Sequence, residues 1–235
     1  ILPTKITPLL AEEVGMHLGD GFLSKTKNEY RLKGSYIDER GFYDGFVKKT
    51  YKKLFNLDVE IKDYAYSYGF EVCSKALSTF KTNVLNIPAG RKTAIRVPDK
   101  FKVNDEQVLA GLIRGYFDTD GCLCFVSKYG YKSYYPNISA ASVSRLLISD
   151  VAGILSMLGL KPYVSFNGAY WSVQLYGYAN FFRYKELVGW NSQKYLDKIA
   201  AWEKAYPQLN GVSGEGVSYG PVVPLSQNGK MALKA

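Results

Sequence analysis

Histidine and cysteine are scarce in this chain of 235 residues. His17 is the single histidine, and the three cysteines are Cys73, Cys122 and Cys124. An odd number of cysteines, two of them only two residues apart, argues against a disulfide framework. With a single histidine, a zinc site of the usual four-ligand kinds is also poorly supported. We expect His17 to be a packing or surface residue.

Long apolar runs are also missing. No run approaches membrane-spanning length, and the N-terminus carries no signal-peptide pattern, so we expect an intracellular protein, cytoplasmic if the source is prokaryotic or archaeal, with no membrane partner. Positive charge and aromatic rings are abundant instead. The chain has 30 Lys and Arg against 21 Asp and Glu, a net charge of +9, together with 20 Tyr and 12 Phe. That combination favours nucleic acid as the partner class.

One segment, Leu109 to Gly121, predicts a helix with an unusual end. Its apolar residues recur at helical spacing, and Gly111 and Gly115 lie four apart on one face, where they permit close approach of another backbone. The helix ends at Asp120, just before an apolar run rich in strand formers. An acid at a helix C-terminus loses roughly 0.3–1 kcal/mol, so another interaction must favour it.

The same pattern occurs 100 residues earlier in the chain. Asp20 aligns with Asp120, and Gly15 aligns with Gly115, which defines an internal repeat. Both copies have a face of small residues, so the two helices can pack on each other. Their acids would then lie side by side and repel by about 3 kcal/mol at ~5 Å and an effective dielectric of ~20. Divalent cations would reverse the sign of that interaction.

Helix-start signals precede both copies. Thr7 followed by Pro8 is a favourable N-cap and first helical residue. Asn104 and Gln107 have the spacing of a capping box, which predicts the start of the second motif helix.

Each half of the chain reads as helix, two strands, helix, two strands, helix, so the predicted fold class is α+β. In the second half, Asn167-Gly168 between two aromatic-rich runs indicates a β-hairpin. We predict an N-terminal half over residues 1–98, a linker over 99–104 and a C-terminal half over 105–206. The tail, residues 207–235, is rich in Gly, Ser and Pro, and we expect it to be linker-like or docked on the body.

The two motifs resemble those of the LAGLIDADG homing endonucleases in their single-chain, two-motif form, as in archaeal or organellar intron-encoded members. The copy at residues 109–121 matches well, and the copy at residues 13–21 is looser but keeps its small residues and its Asp-Gly ending. The resemblance implies two αββαββα repeats packed through their motif helices. It also implies a monomer whose two antiparallel sheets form a saddle over duplex DNA and which cuts both strands of a long, specific site, leaving short 3′ overhangs.

The resemblance also implies a metal site. Asp20 and Asp120 would ligate the metal ions, with the main-chain carbonyls of Gly19 and Thr119 as additional ligands. Mg²⁺ suits a site of few carboxylates completed by substrate phosphate and water. We expect Mn²⁺ to support activity as well, and Ca²⁺ to bind without turnover.

A basic residue near the metal site of each half is a further feature of the family. Lys92 and Lys194 occupy matching places after the last helix of the first half and near the last helix of the second. The alternative interpretation is that both are solvated or phosphate-positioning lysines. Arg91 and Lys198 are the nearest competitors for the role.

Two further polar roles concern the orientation of water and the residue Asp118. Many family members place a Gln at the end of the second strand of a half, where this chain has Ser35 or Tyr36 and Ser142 or Ser144. Ser35 and Ser142 are therefore candidates for orienting water. Asp118 is expected to face solvent or to bond locally beside the ligand.

Basic residues of the strands and loops are the candidates for contacting DNA. They are Lys25, Lys27, Arg31, Lys33, Arg91, Arg96, Lys128, Lys132 and Lys161. The alternative to a nuclease is an RNA maturase that binds intron RNA, or a non-cleaving DNA-binding protein, on the same scaffold.

Binding of duplex DNA should weaken steeply with added salt, because neutralised phosphates release their counterions. For roughly 6–10 phosphate contacts, the loss is about 10³–10⁵-fold between ~50 and ~200 mM salt. Fluorescence anisotropy of a labelled duplex measures it, with a neutral osmolyte as the control. A flat salt profile would contradict the basic saddle.

Overall fold

The structure is a computed structural model that describes residues 2–127 and 134–209. The first half contains α1 (Pro8–Asp20), β1 (Gly21–Leu23), β2 (Glu29–Gly34), α2 (Arg40–Phe42, then π-helical Tyr43–Val47, then Lys48–Phe55), β3 (Lys62–Tyr64), β4 (Ser67–Cys73) and α3 (Lys75–Thr79, then π-helical Phe80–Val84). The second half contains α4 (Glu106–Asp120), β5 (Gly121–Val126), β6 (Tyr135–Ser142), α5 (Arg145–Met157), β7 (Tyr163–Phe166), β8 (Trp171–Tyr176), α6 (Gly177–Leu187) and α7 (Gln193–Ala205).

Each half forms one antiparallel four-stranded sheet. The strand orders, β1-β2-β4-β3 and β5-β6-β8-β7, are equivalent in the two halves. The predicted α+β fold of two αββαββα repeats is therefore confirmed. Tyr30 and Leu32 of β2 point into the core, so the alternate residues of this strand, such as Arg31, point outward. The residues of β6 alternate in the same way. The helices cover the inward side of each sheet, and within residues 2–127 and 134–209 no helix covers the other face.

The motif helices begin with side-chain caps. The Thr7 hydroxyl accepts the Leu10 N–H at 3.2 Å, as the sequence predicts. The start predicted for α4 was wrong by one residue, because Asp105, not Asn104, is the N-cap. Its carboxylate accepts the N–H groups of Gln107 and Val108, and its negative charge also suits a helix N-terminus.

Helices α1 and α4 pack with their backbones in contact. A Cβ atom added to Gly15 would overlap the Leu112 carbonyl oxygen, and one added to Gly115 would overlap the Glu12 carbonyl oxygen. At Gly111 it would lie 2.5 Å from the Pro8 carbonyl oxygen. The small-residue faces predicted from the repeat therefore form the interface between the halves.

A buried ion pair also crosses this interface. Arg114 donates from Nε and Nη2 to the two oxygens of Glu12, at 2.6 and 2.9 Å, in a bidentate arrangement. Its third nitrogen donates to the Val188 carbonyl oxygen at 2.8 Å, and the Asn191 amide also donates to Glu12. These contacts fix the rotation of one half against the other, because a bidentate pair tolerates little change in angle.

A second buried ion pair lies inside the first half. Lys81 and Tyr51 both donate to Glu13, and the ammonium of Lys81 lies 4.3 Å from the centre of the Tyr30 ring. His17 is buried and stacks on the same ring, with centroids 5.4 Å apart. Burial lowers the pKa of His17, which keeps it neutral. The packing role expected for His17 is the one it has.

The segment between the halves is partly ordered by packing. The predicted linker includes a 3₁₀ turn, Asp99–Phe101, and the Phe101 ring is buried. The domain boundaries themselves stay predictions, and residues 210–235 of the tail lie outside the described part of the chain. Within that part, no helix combines the length and the apolar character needed to cross a bilayer.

Gly115→Ala should lower the free energy of unfolding by about 1–3 kcal/mol, because the alanine methyl group must displace the backbone of the facing helix. Gly153→Ala is the matched control. Gly153 is exposed on α5 with open space around it, so an alanine there should be neutral or stabilise by up to about 1 kcal/mol. Urea unfolding followed by circular dichroism gives both values, and equal effects would contradict the packing described above.

Candidate functional site

The two motif acids lie at adjacent helix ends. Asp20 is the last residue of α1, and Asp120 is the last residue of α4. A Cβ atom on Gly19 would overlap the Thr119 hydroxyl and would lie 3.3 Å from the Asp120 nitrogen. The close helix packing therefore continues to the ends of the helices, where the negative ends of both dipoles point toward the carboxylates.

Asp20 is half-buried and surrounded by polar groups. The Tyr43 hydroxyl donates to its Oδ2 at 2.9 Å. A Cβ atom added to Gly34 would lie 2.7 Å from Oδ2 of Asp20 and would overlap Oε2 of Glu39. Because glycine has no side chain, both carboxyl groups can pack against the backbone of residue 34. Burial raises the pKa of Asp20 to about 8, with Glu39 and Asp120 adding to the rise.

Asp120 is the more open of the two acids. Asp120 is exposed to solvent. The surrounding protein nevertheless withdraws part of its hydration, and this burial is the main cause that raises its pKa. Lys92 and Lys194 both oppose that rise by their positive charge, whereas Glu39 adds to it. Asp120 is therefore accessible to a cation from solution.

Lys92 reaches the end of α1, as predicted. Its ammonium donates to the carbonyl oxygens of Leu18, at 3.1 Å, and of Gly19. Burial lowers the pKa of Lys92, and the charges of Asp120 and Asp20 oppose that fall. The Gly19 carbonyl, predicted as a metal ligand, is thus occupied by Lys92 in this structure.

Lys194 approaches the site from the other half and forms an ion pair with Glu39. Glu39 is almost fully buried, at 3 % exposure, and its second oxygen accepts the Ser35 N–H at 2.6 Å. Glu39 was not among the site residues predicted from the sequence. It is the N-cap of the helix after β2 and follows Ser35, the predicted polar position, by four residues. That placement was the signal that could have identified it.

The two serines predicted to orient water bond to nearby main chain. The Ser35 hydroxyl accepts the Ile37 N–H, and the Ser142 hydroxyl accepts the Ser144 N–H at 3.1 Å. Ser144 is fully buried, caps α5 and donates to the Ile95 carbonyl. These hydroxyls organise turns after β2 and β6, and their role toward water stays a prediction.

The expected position of Asp118 was wrong. Its side chain is fully buried, not solvent-facing, and it accepts the distant N–H groups of Asn191 and Ser192, at 2.9 and 3.2 Å. It therefore holds the turn that leads into α7. Burial raises the pKa of Asp118 to about 7, although both hydrogen bonds oppose the rise.

The cations predicted to contact DNA differ in their exposure and in whether they form ion pairs. Lys25, Lys27, Arg91 and Lys161 are exposed. Arg31 and Lys33 share the carboxylate of Glu71. Arg96 pairs with Asp150. Lys128 and Lys132 lie outside the described residues.

The donor set fits a hard divalent cation held jointly with substrate. Within residues 2–127 and 134–209, no group of three or more His, Cys, Asp or Glu side chains forms a complete cage for a metal ion. Mg²⁺ needs only one or two carboxylates when phosphate and water complete its coordination. Asp20 and Asp120, at the ends of the two motif helices, supply two such carboxylates, whereas both oxygens of Glu39 are already bonded to Lys194 and to the Ser35 N–H.

Glu39→Gln should reduce the stability of the protein, because the amide can still accept the Ser35 N–H but cannot balance the buried charge of Lys194. We expect a loss on the order of 1–3 kcal/mol. The double variant Glu39→Gln/Lys194→Met should recover part of it, with a coupling of about 0.5–3 kcal/mol in urea unfolding.

The matched control is Asp58→Asn, which breaks the exposed ion pair with Lys52. Its effect should stay within about 0.5 kcal/mol. If the changes in the free energy of unfolding caused by the two single substitutions at positions 39 and 194 simply add up in the double variant, the ion pair across the interface does not stabilise the protein.

Comparisons with known proteins support the fold described above. Residues 107–189 match the LAGLIDADG-like domain family. The homing endonuclease I-DmoI in complex with DNA and manganese shares the fold with a TM-score of 0.56 and 14% identity, covering 79% of this chain and 98% of that one. I-SmaMI, bound to an uncleaved DNA target with calcium ions, has a TM-score of 0.52 and 11% identity over 87% and 92% of the two chains.

A third structure, the N-terminal LAGLIDADG domain of DUF199/WhiA, has a TM-score of 0.51 and 10% identity over 80% of this chain and 86% of that one. No curated protein matches the sequence itself. These matches show that residues 107–189 resemble a LAGLIDADG-like domain and that the chain has the fold of the single-chain, two-motif LAGLIDADG homing endonucleases.

Proposed function

We propose that this protein is a divalent-metal-dependent endonuclease that makes double-strand breaks, with short 3′ overhangs, in a long and specific duplex DNA site. The observation that carries the proposal is the placement of Asp20 and Asp120 at adjoining helix ends. Two carboxylates beside the negative ends of two helix dipoles raise each other's energy. A bound cation removes that penalty, so the arrangement favours metal binding.

Each acid would serve one strand of the duplex. Asp20 and Asp120 would hold the metal ions, which supply an activated water and neutralise charge on the leaving oxygen. Mg²⁺ is the proposed ion, and Mn²⁺ would substitute for it. Ca²⁺ would support binding without cleavage.

The two lysines would act differently in the two halves. Lys92 donates to carbonyl groups at the end of α1 and forms no ion pair with the described residues, so its charge would be available to a phosphate beside the acids. Lys194 is balanced by Glu39, so its charge is already committed to the interface. DNA would lie across the two sheets, with exposed cations such as Lys25 and Arg91 holding phosphates.

The protein would act on DNA as a monomer, because both motif helices belong to one chain and complete the site together. An intracellular site of action stays a prediction from composition. A non-cleaving DNA-binding protein is the second candidate, since the fold alone does not require cleavage. The presence of both acids favours the nuclease. No comparison supports an intron RNA partner.

Asp20→Asn and Asp120→Asn should each abolish double-strand cleavage, with a rate loss of about 10²–10³-fold or more, as is typical when one charge-stabilising group leaves an active site. Binding of the same duplex in Ca²⁺ should remain. The substrate is the DNA that flanks the insertion point of the coding element, assayed with Mg²⁺.

Asp58→Asn, on the exposed pair with Lys52, is the control and should cleave normally. Undiminished cleavage by both motif variants would refute the assigned roles. Magnesium-independent binding with no scission by the unaltered chain would instead favour the non-cleaving protein.

A further inference from the structure

The open faces of the two sheets differ in charge. The strands β1–β4 contain six charged residues, of which Glu29, Arg31, Lys33, Lys62 and Glu71 occupy outward positions in the pairing register. We call this surface the N-terminal face. The strands β5–β8 contain no charged residue in the part of the chain that the structure describes. Their outward side is the C-terminal face.

On the N-terminal face, acids hold the cations in defined positions. Arg31 contacts Glu29 and lies 3.2 Å from Glu71, with its guanidinium 5.5 Å from the centre of the Phe22 ring. Lys33 donates to Glu71 at 2.6 Å. The Arg31 side chain remains 43% exposed, so its guanidinium is positioned but still accessible.

On the C-terminal face, the polar groups are amides and hydroxyls. Gln174 pairs with Ser139 on one side and Tyr163 on the other, and Asn137 lies opposite Tyr176. The Gln174 amide donates to the Ser172 hydroxyl at 3.4 Å, a weak contact that leaves its carbonyl oxygen available. Oδ1 of Asn137 is buried, so Gln174 is the amide of this face whose oxygen can reach a base.

These two chemistries recognise different bases. In the major groove, Arg and Lys donate to O6 and N7 of guanine, whereas Asn and Gln form paired hydrogen bonds with adenine. Apolar atoms contact the thymine methyl group. A surface without a cation cannot donate charge-assisted hydrogen bonds to guanine, and a surface with clustered cations favours guanine over adenine.

We propose that the DNA target is chemically asymmetric. The half-site against the N-terminal face is read at guanines through Arg31 and Lys33, and the half-site against the C-terminal face is read at A·T pairs through Gln174. This inference rests on the proposed binding of duplex DNA across both sheets. It adds the base composition of the target and the residues that set it.

The test is a binding selection from randomised duplex DNA in Ca²⁺, using the full chain. The selected consensus should depend on guanine on one side of its centre and on A·T pairs on the other. Arg31→Gln should relax the guanine positions by about 5- to 150-fold, and Gln174→Ala should relax positions on the opposite side only.

Arg183→Gln is the matched control, because it removes the same charge from an exposed position on α6, away from both faces, and it should leave the consensus unchanged. Equal guanine dependence on both sides, or an Arg31→Gln consensus identical to that of Arg183→Gln, would overturn the asymmetry while leaving DNA binding intact. Failure of the unaltered chain to retain any duplex would overturn the proposed function and the inference with it.

Discussion

Direct backbone contact between α1 and α4 is the constraint on which the rest of the structure depends. Gly15, Gly111 and Gly115 admit this contact because they have no side chain to hold the helices apart. Gly19 extends it to the helix ends, where it lies against Thr119. The positions of both acids follow from this packing, since each is the last residue of its helix. The bidentate pair of Glu12 and Arg114 then sets the angle at which the two sheets face outward.

The packing brings like charges together, and the surroundings compensate only in part. Burial, followed by the charges of Glu39 and Asp120, raises the pKa of Asp20, and burial is also the main cause of the raised pKa of Asp120. Lys92 and Lys194 oppose the rise at Asp120 by their positive charge. We propose that a bound cation would offset the burial and repulsion that favour the protonated carboxyl groups.

The two halves share a topology but not a chemistry. Their sheets have equivalent strand orders, yet Lys92 bonds to carbonyl groups whereas the matching Lys194 bonds to Glu39 of the other half. The strands of one sheet are rich in charged residues, whereas the described strands of the other contain none. An internal repeat whose copies have diverged in this way is suited to a duplex site whose two halves differ in sequence.

The local sequence determined the repeated order of elements, the helix capped by Thr7 and the hairpin at Asn167, because these depend on neighbouring residues and on apolar periodicity. It also placed Asp20 and Asp120 at helix ends. Only the tertiary structure decided what surrounds them. Glu39 reaches Lys194 across 155 positions, and Asp118 turns inward to cap a segment more than 70 residues away, because folding brings distant main chain beside them. Periodicity reports which face of an element is buried, but not which distant polar group will bond to a side chain there. For that reason the sequence did not predict the burial of Asp118 or the pairing of Lys194 with Glu39.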